Sequence, residues 1–404
     1  MKILMVQPTG DKMGHFGVYT TRLAQALAVA GHEVTVCTNR LDTAAFLSEP
    51  RRFYIVPTPN CAFEHDGSVA SPGYLRAYFR NSYKVLRHAL AIENGYFDLM
   101  YVMDTEFLMA TVALKRHHPE IPVVMYISAA NFSFETYAGS LPFKAYKVFQ
   151  REIFKRTLGR EIFGIHVLGD YQRAELGEQL DLPEGFPIMA IHDAPTSRPR
   201  IPQAEARKII GVDYPGPLLL FFGMLRRDKG IEDLLAAVSM ATTDYKLLLA
   251  GHPMDYTPAE IRQLIMRHGV GEKVLPHLIY VPEDQVAAYF SAADALVLPY
   301  NSSYTGGSGP LLKQAGSYGL PVIVTDVAEM GALVRRHGFG TVTHPDNSAA
   351  LSMAIDGVMG DEGYRAALGG QARNLADIYG WPNAAKGLTA LFEAAIAYKG
   401  APRG

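Results

Sequence analysis

Residues 299–326 read PYNSSYTGGSGPLLKQAGSYGLPVIVTD. They run from a strand end through a polar loop and a glycine cluster into a helix, a turn and a second strand. Gly306, Gly307 and Gly309 let the backbone adopt positive φ and come close to a ligand. Pro310 suits the first helical position, where its missing N–H is not needed. Gly309 is then the N-cap, with no side chain to occupy the amides of the first turn around Ser308, Gly309, Pro310 and Leu311. Those amides and the helix dipole make an anion site. Lys313 falls in the first turn, where a cation is disfavoured by roughly 0.3–1 kcal/mol. A polyanion between lysine and helix end resolves that conflict. An ordinary glycine-rich turn with a solvated lysine is the other reading these residues allow.

Working outward, strands and helices alternate along the chain, which predicts an α/β protein with parallel sheets. Strands are expected at Ile3–Val6, Val34–Thr38, Leu99–Met103, Pro122–Ile127 and Ile165–Leu168. A helix is expected at Val18–Ala30, ended by Gly31. The proline-rich stretch Ile188–Pro202 interrupts the rhythm and reads as a hinge. A second α/β half follows, with strands at Leu218–Phe222, Lys246–Ala250 and Ala295–Leu298. Helices are expected at Ile231–Met240, near Ala259–His268, and at Asp284–Ala292. Residues 363–399 read as mostly helical. The expected division is 1–193, 194–375 and a terminal helical segment 376–404.

Bulk properties agree with two folded domains: 404 residues, 49% hydrophobic and 19% charged. A net charge of −2 exerts no general pull on nucleic acid or anionic membrane, so a basic site has to be local. Two cysteines, Cys37 and Cys61, are too few for a disulfide framework or a cysteine zinc site. Met1-Lys2 precedes only the short run Ile3–Val6, far short of a signal peptide. No run approaches the length of a transmembrane helix. A cytoplasmic protein is the expectation.

Four further stretches bear on chemistry. Gly10–Gly17 follows the first strand, where open α/β sheets bind ligands. It lacks both the dinucleotide G-x-G-x-x-G and the Walker A spacing. Phe221–Gly230, FFGMLRRDKG, also follows a strand. There Gly223 and Gly230 permit a tight loop. Arg226 could grip a phosphate bidentately while Lys229 adds a compact charge. Together they could neutralise a diphosphate as its bond breaks. Tyr126–Glu135 offers Ser128, Asn131 and Ser133 to a sugar, or simply a capped helix start. Residues 144–160 carry Lys144, Lys147, Arg151, Lys155, Arg156 and Arg160 against one acid, Glu152, with apolar residues at helical spacing. Such a helix either lies on an anionic membrane or packs its apolar face inward and leaves its charges solvated. There is no Asp-x-Asp pair or H-E-x-x-H for a metal and no G-x-S-x-G nucleophile elbow.

Taken together, four segments resemble the glycosyltransferase group 1 family, retaining enzymes of the GT-B fold that use nucleotide sugars. They are Leu23–Thr38, Phe222–Gly230, Tyr280–Tyr300 and Gly309–Val324. The resemblance spans nearly the whole chain and is strongest from Leu218 to Asp326. Trp381 fits as well, since the family's last helix crosses back onto the first domain. The resemblance implies two doubly wound Rossmann-like domains facing across a cleft, an acceptor domain first and a donor domain second. It implies that Arg226 and Lys229 hold the diphosphate, helped by the amides of 308–311. Gly14 and Gly17 would approach the same phosphates, Val281-Pro282 the base, and Thr305-Gly306-Gly307 the sugar. The nucleoside-diphosphate sugar is a co-substrate, with no resident cofactor and no metal. A hexose would pass to a hydroxyl of a glycan, lipid or small molecule.

The departures carry information too. Where the family often has two glutamates flanking the donor helix, Thr305 and Lys313 stand here. The common arginine after the loop's first glycine is Met224, and a frequent histidine is Ser128. Some branches share these changes and place arginine as in Gly223-x-x-Arg226. Front-face retention tolerates the loss, because it needs no carboxylate nucleophile. Lys313 would then add to charge stabilisation. A donor-binding scaffold partner of another transferase, or a sugar-nucleotide epimerase, stays open beside the transferase reading.

Overall fold

The computed structural model describes residues 1–10, 16–41, 43, 47, 49–61, 72–103, 107–127, 141–195, 199–304 and 310–401. The chain forms two compact units, Met1–Asp193 with Trp381–Gly404, and Ala194–Gly380.

In the first unit the elements are β1 (Lys2–Gln7), α1 (Phe16–Val29), β2 (Glu33–Thr38), β3 (Tyr54–Pro57), α2 (Pro72–Glu93) and β4 (Leu99–Val102). They continue with α3 (Phe107–His117), β5 (Val123–Ile127), α4 (Leu141–Lys155), β6 (Ile162–Val167), α5 (Asp170–Leu180) and β7 (Ile188–Ala190). Among the described residues the strands form one parallel sheet, ordered β3-β2-β1-β4-β5-β6-β7. Helices cover such a sheet on both faces, so its central strands are apolar throughout rather than alternating. Every residue of β4 and β5 is buried. Gly31, at φ +93°, ends the turn after α1, as its position in the sequence required.

The start of the stretch expected as a hinge is instead a strand. Ile165, His166 and Val167 pair in register with Ile188, Met189 and Ala190 of β7. An edge strand of only three half-buried residues is too short a run to stand out beside prolines.

The second unit holds α6 (Gln203–Ile209), β8 (Leu218–Phe222), α7 (Ile231–Met240), β9 (Lys246–Ala250), α8 (Pro258–Arg267), β10 (Val274–His277) and α9 (Val286–Ala292). It continues with β11 (Ala295–Leu298), α10 (Pro310–Ser317), β12 (Val322–Thr325), α11 (Met330–His337), β13 (Gly340–Thr343), α12 (Ser348–Gly360) and α13 (Glu362–Ile378). Its parallel sheet runs β10-β9-β8-β11-β12-β13. Side chains alternate across it. Leu218 and Leu220 join Phe290, Leu312 and Tyr318 on one face, while Leu219 and Phe221 join Leu234, Leu235 and Val238 on the other. In both sheets the order of the strands reverses once, between β1 and β4 and between β8 and β11. In such folds that reversal opens a crevice at the carboxyl ends of the two central strands.

The last helix, α14 (Trp381–Gly400), belongs to the first unit. Ala385, Leu388, Leu391, Phe392 and Ala395 are fully buried against the sheet. The helix can come so close because β6 carries Gly164. A Cβ there would lie 3.3 Å from the Ala395 Cβ and 3.2 Å from a Val124 methyl.

Candidate active site

In the second unit, the loops leaving β8 and β11 emerge side by side at the reversal point, since these strands are sheet neighbours. The loop after β8 starts at Gly223 (φ +123°) and ends at Gly230 (φ +65°). Neither conformation suits a residue with a Cβ. A Cβ on Gly230 would fall 1.8 Å from the Pro299 carbonyl oxygen of the neighbouring loop. Glycine therefore lets the two backbones touch. Asn301 then joins them: its N–H donates to the Asp228 carbonyl (3.1 Å) and its Nδ2 to the Arg227 carbonyl (2.9 Å). On the other side Leu225 N–H donates to the His252 carbonyl (2.9 Å), tying the loop to the segment after β9.

This scaffold presents two cations. Arg226 donates from Nε (3.0 Å) and Nη2 (2.5 Å) to the two carboxylate oxygens of Asp228. Burial works against its charge, and the bonded, attracting Asp228 carboxylate more than offsets this, so its pKa is raised. Lys229 lies in the short 3-10 turn Arg227–Lys229. Its ammonium is 3.5 Å from the Tyr300 ring centroid and 4.2 Å from that of Tyr304. Burial, and then the nearby Arg226 charge, push the Lys229 pKa down to about 7, with Asp228 opposing. An anion arriving here would meet a fixed guanidinium and a lysine poised to take up a proton.

The start of α10 reaches the same loop at Gly223. A Cβ on Gly223 would lie 3.3 Å from a Leu311 methyl in the first turn of α10. Pro310 opens α10. Lys313, one turn on, is 1% exposed, and its ammonium is 5.4 Å from the ring centroid of Tyr379 just beyond α13. Val281 is buried in the core ahead of α9, and Pro282 beside it is exposed, its carbonyl accepting from Gln285 N–H at 3.0 Å. Thr305, Gly306, Gly307, Ser308 and Gly309 lie outside the described residues, as do Gly14, Ser128 and Asn131.

In the first unit, Gly17 is buried in the opening turn of α1. Beneath it lies a polar floor that the sequence did not single out. Gln7 Nε2 donates to Thr20 Oγ1 (3.2 Å), Thr9 N–H to Gln7 Oε1 (3.1 Å), and Gly10 N–H to Asn39 Oδ1 (2.9 Å). Asp228, Tyr300, Tyr304 and Asn301 were likewise missed as site residues. Their signal lies in Arg-x-Asp and in the tyrosines four apart in PYNSSY, and neither pattern means much until the two loops are known to touch.

The basic stretch 144–160 divides in the structure. Phe154 and Leu158 are buried, whereas Phe149 is 55% exposed. Lys155 bonds to Asp181 (2.5 Å), and Arg151 to Glu152 (3.1 Å). Among the described residues, no helix is long and apolar enough to cross a membrane.

Comparison with known proteins places this geometry. The family model described as glycosyl transferases group 1 matches residues 202–375, and that of the glycosyl transferase 4-like domain matches residues 16–185. A D-inositol 3-phosphate glycosyltransferase of Xylanimonas cellulosilytica is 25% identical over 401 residues, covering 94% of this chain and 91% of its own. Sucrose-phosphate synthase from Thermosynechococcus elongatus superposes with a TM-score of 0.75 at 19% identity, covering 98% of this chain and 100% of its own. The Anabaena protein HepE, solved with UDP and glucose, does so with a TM-score of 0.72 at 17% identity, covering 96% and 98%. The two family models together account for both units, and the solved structures share their fold. The chain therefore belongs to the glycosyltransferase group 1 family and is a glycosyltransferase of the GT-B fold.

Proposed function

We propose that the protein is a retaining hexosyltransferase that needs no metal and moves a sugar from a nucleoside-diphosphate sugar to a hydroxyl of a glycan, lipid or small molecule. One observation carries the reading: Arg226 and Lys229 stand together on a tight loop bounded by glycines, at the reversal point of the second sheet. Two cations there would do the work often given to a metal, neutralising the leaving diphosphate. The bond from C1 of the sugar to the diphosphate oxygen breaks, and the acceptor oxygen bonds to C1 on the same face. The acceptor proton passes to the departing phosphate. No protein carboxylate is required as nucleophile, in keeping with Thr305 and Lys313 at the positions where glutamates are common in the family. The similarity to HepE, solved with UDP and glucose, supports a nucleotide-sugar donor. The donor is a co-substrate rather than a resident cofactor. Gly14, Gly17, Val281, Pro282, the 305–311 segment and Lys313 complete the proposed donor site, and Ser128 and Asn131 the acceptor side.

Thermal shift with UDP-, GDP-, ADP- and dTDP-sugars tests this. A ligand at 100 times its dissociation constant stabilises a protein by roughly 2.7 kcal/mol. A hit whose affinity Arg226→Ala lowers strongly, with slow donor hydrolysis by mass spectrometry, is expected. Binding without hydrolysis or transfer would favour the scaffold alternative, and no binding at all would refute the donor site. Lys313→Ala with unchanged donor affinity would assign that lysine to packing under Tyr379. Peripheral membrane contact through residues 144–160 is the remaining part of the proposal, supported by the exposure of both Phe149 and Arg156. Sedimentation with anionic vesicles checks it, and no co-sedimentation at low salt would overturn it.

A further inference from the structure

Asp228 is at first sight misplaced. It sets a carboxylate within the loop proposed to receive a diphosphate, where its charge opposes the ligand. Its geometry explains why it belongs there. Both carboxylate oxygens lie along one edge of Arg226, taking the Nε hydrogen and one Nη2 hydrogen. A guanidinium has five N–H donors in a rigid plane. Side-on pairing leaves the end-on fork, one Nη1 hydrogen and the second Nη2 hydrogen, with a fixed direction. Asp228 is itself anchored, since its carbonyl accepts from Asn301 N–H.

Lys229 is held differently. Its ammonium lies against Tyr300 and Tyr304, whose ring centroids are 4.6 Å apart at an interplanar angle of 57°. Such rings attract a cation by their quadrupole without neutralising it, so the charge stays available to a phosphate. A carboxylate in the same place would compete with the ligand.

Resting on the reading of Arg226 and Lys229 as the diphosphate site, we propose that Asp228 and the Tyr300–Tyr304 ring pair are its positioning residues. Asp228 fixes the Arg226 fork, and the two rings carry the Lys229 ammonium beside it. The site is then assembled before the donor arrives, and the donor gains affinity because little has to be ordered on binding.

The charged and titratable groups facing Lys229 are Arg226 and Asp228 from its own turn and Tyr300 and Tyr304 from the loop after β11. Asp228 favours the protonated amine, and Arg226 opposes it. Removing the Asp228 charge therefore moves the alkaline fall of diphosphate affinity to lower pH. A purely structural aspartate would leave that limb in place.

The test is calorimetric binding of UDP, GDP, ADP and dTDP to the full chain across neutral pH. Asp228→Asn is expected to weaken the bound nucleotide by about tenfold or more through loss of orientation, and to shift the alkaline limb down. In an Arg226→Ala background at pH 6, the same substitution is expected to cause no further weakening, since the unpaired carboxylate it removes only repels the ligand. Tyr304→Leu is expected to weaken binding and Tyr304→Phe, which keeps the ring, to restore it. Unchanged affinity and pH limb in Asp228→Asn, or equal weakening with and without Arg226, overturns the role of Asp228. If Asp228→Asn does not fold, the Tyr304 pair decides: Tyr304→Leu binding like wild type overturns the ring pair. Wild type binding none of the four nucleotides would instead fell the donor reading itself.

Discussion

The Lys229 ammonium rests 3.5 Å from the ring centroid of Tyr300, so a lysine of the loop after β8 is held by an aromatic of the loop after β11. Burial, and then the Arg226 charge, lower its pKa to about 7. An unfolded chain keeps lysine near about 10.4. Between these values the unfolded state binds more protons, so stability rises with pH across that window, and below about pH 7 the full penalty is present. Lys229→Met removes the titrating group. Its stability advantage over wild type should grow as pH falls through the window and level off below it. Thermal denaturation of both proteins over that range checks this, and a constant difference would mean that Lys229 keeps an ordinary pKa.

Gly230→Ala should damage the second unit more than a left-handed backbone alone can explain. Gly230 (φ +65°) and Gly211 (φ +69°) have nearly the same conformation. An added Cβ meets nothing within 4 Å at Gly211 but lies 1.8 Å from the Pro299 oxygen at Gly230. Gly211→Ala should cost roughly 1–2 kcal/mol, the left-handed penalty. Gly230→Ala should exceed that clearly in urea unfolding and should also abolish binding of nucleoside diphosphates. Equal losses at the two positions would show that the Pro299 loop yields easily.

Such loop contacts mark where sequence reading stops. The central strands were legible because burial on both faces leaves an unbroken apolar run, as in Leu218–Phe222 or Val123–Ile127. Edge strands were not. Tyr54–Pro57 is half exposed and ends in proline, and Ile188–Ala190 hides among prolines. In the site, Arg226 and Lys229 stood out as cations between glycines after an apolar strand. Asp228 did not, since a carboxylate in a basic loop reads as one more solvated charge until its bidentate bond is seen. Tyr300 and Tyr304 reach Lys229 only because β11 lies beside β8, and that adjacency is a property of sheet order, not of local sequence.

His166 gives the first unit a pH dependence of its own. Its Nε2 is 2.8 Å from the Ile191 carbonyl oxygen, which can only accept, so Nε2 carries the hydrogen. Nδ1 is then the acceptor for the Tyr101 hydroxyl at 2.6 Å. A second ring proton would break that bond. Burial lowers the pKa to about 4, against the opposing pull of the Ile191 carbonyl and Asp193. The stability this provides is complete above the ordinary value of about 6.5 and is lost as pH falls toward about 4. The gap in urea stability between wild type and His166→Gln should therefore narrow on acidification. A gap independent of pH would show that His166 does not titrate in that range.

Phe392 tests how far the first unit depends on the end of the chain. It is fully buried, with its ring centroid 5.3 Å from that of Tyr101 in β4. Tyr101 also bonds His166, so the ring packs beside a polar pair that a shift of α14 would disturb. Phe392→Ala should destabilise by about 3–5 kcal/mol through lost burial and the cavity left behind. Gly164→Val approaches the same interface from the sheet side. Its added Cβ would sit 3.3 Å from the Ala395 Cβ and 3.4 Å from a Leu391 methyl, with two more methyls beyond it, so α14 would have to move outward. Overpacking of this kind costs roughly 1–3 kcal/mol. If α14 is an integral part of the first unit's core, both variants should lower its unfolding midpoint and speed proteolysis within residues 1–193. Loss confined to release of the terminal helix, with the sheet still protected, would instead make α14 a separable cover.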